Sequence, residues 1–185
     1  MITLRVTALP VALLLSGCMS SSPDLQTQQL HQKVSALNQE LSQLTLQATA
    51  LERQSKLNQN SIHGAWLVPA AKTPVLLQSQ AGQLRLSLSN IIGQDGGSGM
   101  LLHLSMAGSE QPGALAGRVE WGSLDDISGK PQSAESHSKN FRIEPALLPR
   151  REATVRLYLQ GFPPEKLGYV RIHDLVLGDS STPAP

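Results

Sequence analysis

The residue best suited to covalent chemistry is Cys18, the single cysteine of a 185-residue chain. A thiolate is a strong nucleophile, and the small residues Ser16 and Gly17 ahead of it leave room for a modifying enzyme. One cysteine allows no intrachain disulfide and no cysteine metal cluster. The other candidates offer less. His173 and Asp174 adjoin, but neighbours on a strand point to opposite faces, so they are not expected to pair with each other. His103 and His173 would begin a metal site only as cross-strand neighbours with a third ligand, which the spacing does not require. Asp125, Asp126 and Ser123 read as a solvated turn. Ser98 lacks the second flanking glycine of a nucleophile elbow, and no phosphate loop or paired-histidine motif is present. Lys139, Arg142, Arg150 and Arg151 form a local basic cluster around a proline-containing connection, where an anionic lipid or cell-wall polymer could bind. The expectation is a chain with no catalytic residues, no metal and no cofactor.

The elements around Cys18 are those of an export signal. Arg5 supplies one positive charge, and Val6 to Leu15 is an apolar run of about ten residues, too short to span the roughly 30 Å bilayer core. Leu15-Ser16-Gly17 is not a clean small-x-small cleavage site. Leu15-Ser16-Gly17-Cys18 resembles instead the lipobox of bacterial lipoproteins. That resemblance implies removal of residues 1–17, diacylglycerol on the Cys18 sulfur and acylation of the new amino group. Two or three acyl chains, at roughly 0.8 kcal/mol per buried methylene, make a stable anchor. Met19 rather than an aspartate follows the cysteine, which by the lipoprotein sorting rule implies the inner leaflet of the outer membrane, facing the periplasm.

Without Arg5, the 15 basic residues fall level with the 14 acidic ones. A balanced chain has no field to steer nucleic acid, which excludes that class of partner. Two each of Trp, Tyr and Phe are few for a sugar cleft or a single-strand stacking platform.

Residues 18–25 read as a tether, with Asp24 or Thr27 as helix N-cap. From 26 to 60 a heptad follows. Leu30, Leu37, Leu44 and Leu51 recur every seven residues, and Thr27, Val34, Leu41, Ala48 and Ser55 fill the second core position. Spacings of four and three over about four heptads predict a coiled-coil seam. A lone helix showing leucines to water is marginal, so the stripe must be covered. Self-association is preferred; the alternatives are folding back on the chain's own domain or docking on another protein's helix. A spacer of about 32 helical residues would reach about 48 Å.

After Asn60 the period becomes two. Leu84, Leu86 and Leu88 alternate with Arg85, Ser87 and Ser89; similar alternation marks Leu102 to Met106, Leu115 to Trp121 and Val155 to Leu159. Turn residues intervene, such as Gln94-Asp95-Gly96-Gly97 and Gly161-Phe162-Pro163-Pro164. Seven or eight strands without an amphipathic helix between them predict a mainly β domain at 62–178, an antiparallel sandwich of immunoglobulin-like architecture, with about 115 to 120 residues for its core. Phe162 to Tyr169 resembles the tyrosine corner of fibronectin-type sandwiches. Trp66 and Trp121 are expected in the core. Residues 179–185 are expected to be a disordered tail.

The block Gly64-Ala65-Trp66-Leu67-Val68-Pro69, its continuation to Leu88, and Leu167-Gly168-Tyr169-Val170-Arg171-Ile172-His173-Asp174 resemble the uncharacterised enterobacterial lipoproteins of the YajI type. The resemblance implies a lipid anchor, a coiled segment and one domain without assigned activity. The resulting expectation is a non-enzymatic binding or scaffolding module of the cell envelope, presenting a polar sheet edge or loop surface to a partner. The alternatives are an accessory subunit docking through its helix, or a cell-wall or lipid-modifying enzyme.

Overall fold

The computed structural model describes residues 23–79, 82–106, 114–144 and 152–178. Helix α1 runs Pro23–Gln59. Proline suits a first helical position, where its missing N–H has no intrahelical partner to lose. Asp24 and Thr27 therefore lie at positions inside the helix, past the N-cap position expected for one of them. The chain divides into two compact units, Met1–Leu41 and Ser42–Pro185, so the boundary falls within α1 and its last turns belong with the strands.

The strands are β1 Gly64–Leu67, β2 Val75–Ser79, β3 Gly82–Gln94, β4 Gly97–Met106, β5 Ala114–Gly122, β6 His137–Ile143, β7 Glu152–Leu159 and β8 Tyr169–Gly178. They form two antiparallel four-stranded sheets, ordered β1-β8-β5-β6 and β2-β3-β4-β7. The inward residues are those the alternation selects: Leu84, Leu86, Leu102, Leu104, Leu115, Val119, Leu157 and Leu159 are all buried in one core between the sheets. The architecture is the expected sandwich. The strand order is its own, because β1 and β2 lie in different sheets and β1 pairs with the last strand, whereas an immunoglobulin domain pairs its first two.

Local chemistry explains the joints. Asp95 and Gly96 both have positive φ, 44° and 75°, as a two-residue hairpin of matching twist requires, and Gln94 pairs with Gly97 to close it. Ser98 is fully buried, and its hydroxyl donates to the Phe162 carbonyl at 2.6 Å, a structural role. A Cβ on Gly168 would collide with the Leu124 backbone, so the loop after Pro164 can pack there only through glycine.

Candidate functional site

One face of α1 builds a clasp on the edge of the first sheet. Strand β1 is an edge strand, so its outward backbone groups need partners. Asn58 supplies two: its Oδ1 accepts from Trp66 N–H at 2.9 Å and its Nδ2 donates to Trp66 C=O at 2.7 Å. One turn earlier, Gln54 Oε1 accepts from Val68 N–H at 2.9 Å and Gln54 Nε2 donates to Thr73 C=O at 3.0 Å. Ser61 Oγ donates to Gly64 C=O at 2.5 Å. Each primary amide thus presents donor and acceptor side by side, as a neighbouring strand would. Ala50 and Leu57 pack with Val68, Ala71 and Leu124 in a small apolar cluster beneath this face. Arg53 Nη2 donates to the Asp126 carbonyl at 3.2 Å.

The leucine stripe points elsewhere. Leu30, Leu37, Leu44 and Leu51 are 62, 63, 56 and 43 % exposed, and Val34 and Leu41 are exposed with them. The helix does fold back on its own domain, one of the two alternatives to self-association, but through its amide face. Gln47, which donates to the Ala71 carbonyl, centres with Ala50, Gln54 and Leu57 roughly 110° round the helix from the Leu30–Leu51 line, so the docking leaves those leucines uncovered. Asn58, seven residues after Leu51, continues the stripe's own line and meets β1 where the stripe ends.

The outer face of the β1-β8-β5-β6 sheet carries a polar cluster. Trp66 and Tyr169 meet at 5.1 Å between centroids, and the Arg171 guanidinium lies 4.7 Å above the Trp66 ring. Trp66 therefore sits on the outer face while Trp121 is in the core, since β1 turns Ala65 and Leu67 inward. The Tyr169 hydroxyl donates to Glu120 Oε1 at 3.1 Å, and Ser136 Oγ donates to the same oxygen at 2.8 Å. This differs from a tyrosine corner, whose hydroxyl reaches backbone upstream. Burial pushes the Tyr169 phenol above its usual range, the neighbouring Glu120 charge adding to it. Glu120 Oε2 lies 3.4 Å from Arg171 Nη1 and 3.7 Å from His173 Nε2.

His173 and Asp174 do pair, contrary to the strand-parity expectation: His173 Nδ1 is 2.9 Å from Asp174 Oδ2. Asp174 has φ +52°, and the β5–β8 register shifts between Ala116 and Arg118, so a bulge breaks the alternation and turns the carboxylate back toward the ring. The imidazole has a carboxylate on either side, Asp174 at Nδ1 and Glu120 at Nε2. His103 is on β4 in the other sheet, its Nε2 2.6 Å from Ser89 Oγ and its Nδ1 3.0 Å from Thr154 Oγ1. The two histidines are not cross-strand neighbours. Among the described residues, no three His, Cys, Asp or Glu converge as a metal site.

The basic cluster also separates. Lys139 and Arg142 lie on β6, a strand where the sequence suggested a connection, and an odd spacing puts them on opposite faces. Arg142 is engaged by Glu144 at 2.7 Å. Arg150 and Arg151 lie outside the described residues, as do Cys18, residues 1–17 and the tail 179–185. In the Asp125 turn, the carboxylate accepts from the Ser128 N–H and hydroxyl, both at 2.7 Å, and these bonds hold it below the usual aspartate range. Asp125 is a turn residue. Among the described residues no helix is long and apolar enough to cross a membrane.

Sequence reasoning found the stripe and missed the clasp. Gln54 and Asn58 differ in type from no other amide along α1; their spacing of four is the only sign, and many solvated pairs share it.

The chain is similar to known proteins along most of its length. Residues 21–179 match the family described as protein of unknown function (DUF3251). The uncharacterized lipoprotein YajI of Escherichia coli K12 is 32 % identical over 161 residues, covering 87 % of this chain and 88 % of that protein. The solution structure of E. coli YajI superposes with a TM-score of 0.66 at 23 % identity, over 99 % of this chain and 94 % of the other. The Salmonella enterica trimeric lipoprotein SadB gives a TM-score of 0.48 at 18 % identity, over 84 % and 86 % of the two chains.

Proposed function

The chain belongs to the DUF3251 family, and from that premise we propose that it is a lipid-anchored, non-enzymatic binding and scaffolding module of the bacterial cell envelope. Cys18 carries the lipid, Met19 directs the protein to the inner leaflet of the outer membrane, and copies associate through Leu30, Leu37, Leu44 and Leu51. The YajI relative is a lipoprotein by name, which supports the anchor. The observation that carries the scaffold is the division of α1: an amide face closes the sheet edge while the leucine stripe stays in solvent. A helix that needed only to dock on its own domain has no use for a second, apolar face in heptad register. Parallel copies meeting at the seam bury those leucines and leave each sandwich on the outside.

Two measurements test the reading. Mass spectrometry of the native protein shows a thioether-linked diacylglycerol on Cys18 as the new N-terminus; an unmodified thiol overturns the anchor. Light scattering of the full chain in detergent gives a multiple of the monomer mass, and Leu37→Glu with Leu44→Glu returns it to monomer. A wild-type monomer overturns the association.

A further inference from the structure

The connection from β1 to β2 runs beside the leucine seam as well as beneath the clasp. The Ala71 carbonyl accepts from Gln47 Nε2 at 3.5 Å and the Thr73 carbonyl from Gln54 Nε2 at 3.0 Å, so this connection follows one row of amides along α1. Between the two contacts stands Lys72, exposed, with φ +52°. Past Thr73 lies an open groove of about 520 Å³, walled by Thr73 and Val75 on one side and by Leu51, Ser55 and Asn58 of α1 on the other. Leu51 and Ser55 are seam residues, so the groove is a continuation of the seam.

Heptad geometry fixes which residues meet there. With the leucines at position d and Thr27 to Ser55 at position a, Gln47 and Gln54 occupy g, and Thr45 and Glu52 occupy e. When helices pack in parallel, the g row of one faces the e row of the next, and g of one heptad meets e of the following heptad. Gln47 therefore faces the neighbouring copy's Glu52. Since Gln47 holds the Ala71 carbonyl, that carboxylate arrives beside Lys72. Within one chain the two charges are kept apart. At 100° per residue Glu52 lies roughly 160° round α1 from Gln54. There it pairs with its own Lys56 at 2.7 Å, both side chains well exposed.

We infer that the groove between α1 and the start of β2 seats the neighbouring copy's α1, and that Lys72 pairs there with the neighbour's Glu52. This rests on the proposal that copies associate through the leucine seam, and it gives the sandwich a part in that association: each domain braces the next copy's helix. A second copy is favoured over another protein's helix because the groove continues the shared seam and because both charges are on this chain, at the positions parallel packing brings together. Antiparallel copies set g against g and take Glu52 away from Lys72. The pair is solvent-accessible, so it fixes direction and register while the leucines supply most of the affinity.

The test is a charge exchange in the full-length chain in detergent, read as the dissociation constant from concentration-dependent light scattering. Lys72→Glu should weaken association by about threefold, and Glu52→Lys with Lys56→Glu, which keeps an ion pair within the helix, should weaken it similarly. All three substitutions together should return it to within roughly twofold of the parent. A photo-crosslinking probe in place of Lys72 should give a covalent dimer whose linked peptide contains Glu52, while a probe at Ser138 on β6, the opposite sheet edge from β1, gives none. If the triple variant stays as weak as the single exchanges, or the probe links to a different part of the neighbour, the seat is refuted and the seam stands. A parent chain that remains monomeric removes the seam and this inference with it.

Discussion

Gln54 is 4 % exposed and Leu44, ten residues earlier on the same helix, is 56 % exposed. Simple hydropathy would reverse these values. The difference follows from what each face meets. The amide face meets the backbone edge of β1, whose N–H and C=O groups would cost roughly 1–3 kcal/mol each if buried unpaired. Only side chains carrying donor and acceptor together relieve that, so the polar face is the one that docks. Among the described residues the apolar face is left to solvent.

Substitutions sharpen the contrast between the two faces, and the core sets the scale. Leu102→Ala, fully buried between the sheets, should destabilise the domain by about 2–5 kcal/mol in denaturant titration. Gln54→Ala should cost about 1–3 kcal/mol by the same measurement, because Val68 N–H and Thr73 C=O lose their partners. Asn58→Asp should be as harmful, since a carboxylate can accept from Trp66 N–H but repels the Trp66 carbonyl. If these amides prove neutral while a seam leucine is costly, the assignment of faces is wrong.

Leu44→Ala should shift unfolding of the dilute, monomeric chain by less than about 0.5 kcal/mol. It should nevertheless lower the mass measured at high concentration. The smallest effect concerns pH. The Tyr169 phenol is raised in the folded state, so the unfolded chain releases this proton first; its contribution is complete below the ordinary value of 10.0 and is lost as pH rises through the folded value. Unfolding midpoints should therefore fall more steeply above pH 10 in the parent than in Tyr169→Phe, and equal slopes would show that the hydroxyl is not held as described.

The sandwich and the stripe were legible because each is a local pattern. Leu84, Leu86, Leu102 and Leu104 declare their face by alternation, and Leu30 to Leu51 by a seven-residue repeat. Asp95-Gly96 announces its hairpin through the positive φ that both positions need. β6 was not legible, because an edge strand of His, Ser, Lys and Asn has the composition of a loop. The His173–Asp174 contact was hidden for a different reason. A bulge is a property of two paired strands, and the shift that creates it lies near Gly117, more than fifty residues away.

Periodicity and residue type, which act over a few residues, determined by themselves the apolar stripe of the helix and the inward face of the strands they mark. Tertiary structure alone decided that β1 pairs with β8, that β1 is therefore an edge, and that Asn58 closes it while Gln54 ties down Val68 and Thr73 in the connection that follows. Backbone groups are the same in every residue, so which of them is left without a partner depends on the assembled sheet. The side chains that satisfy them acquire that role only when the fold brings helix and edge together.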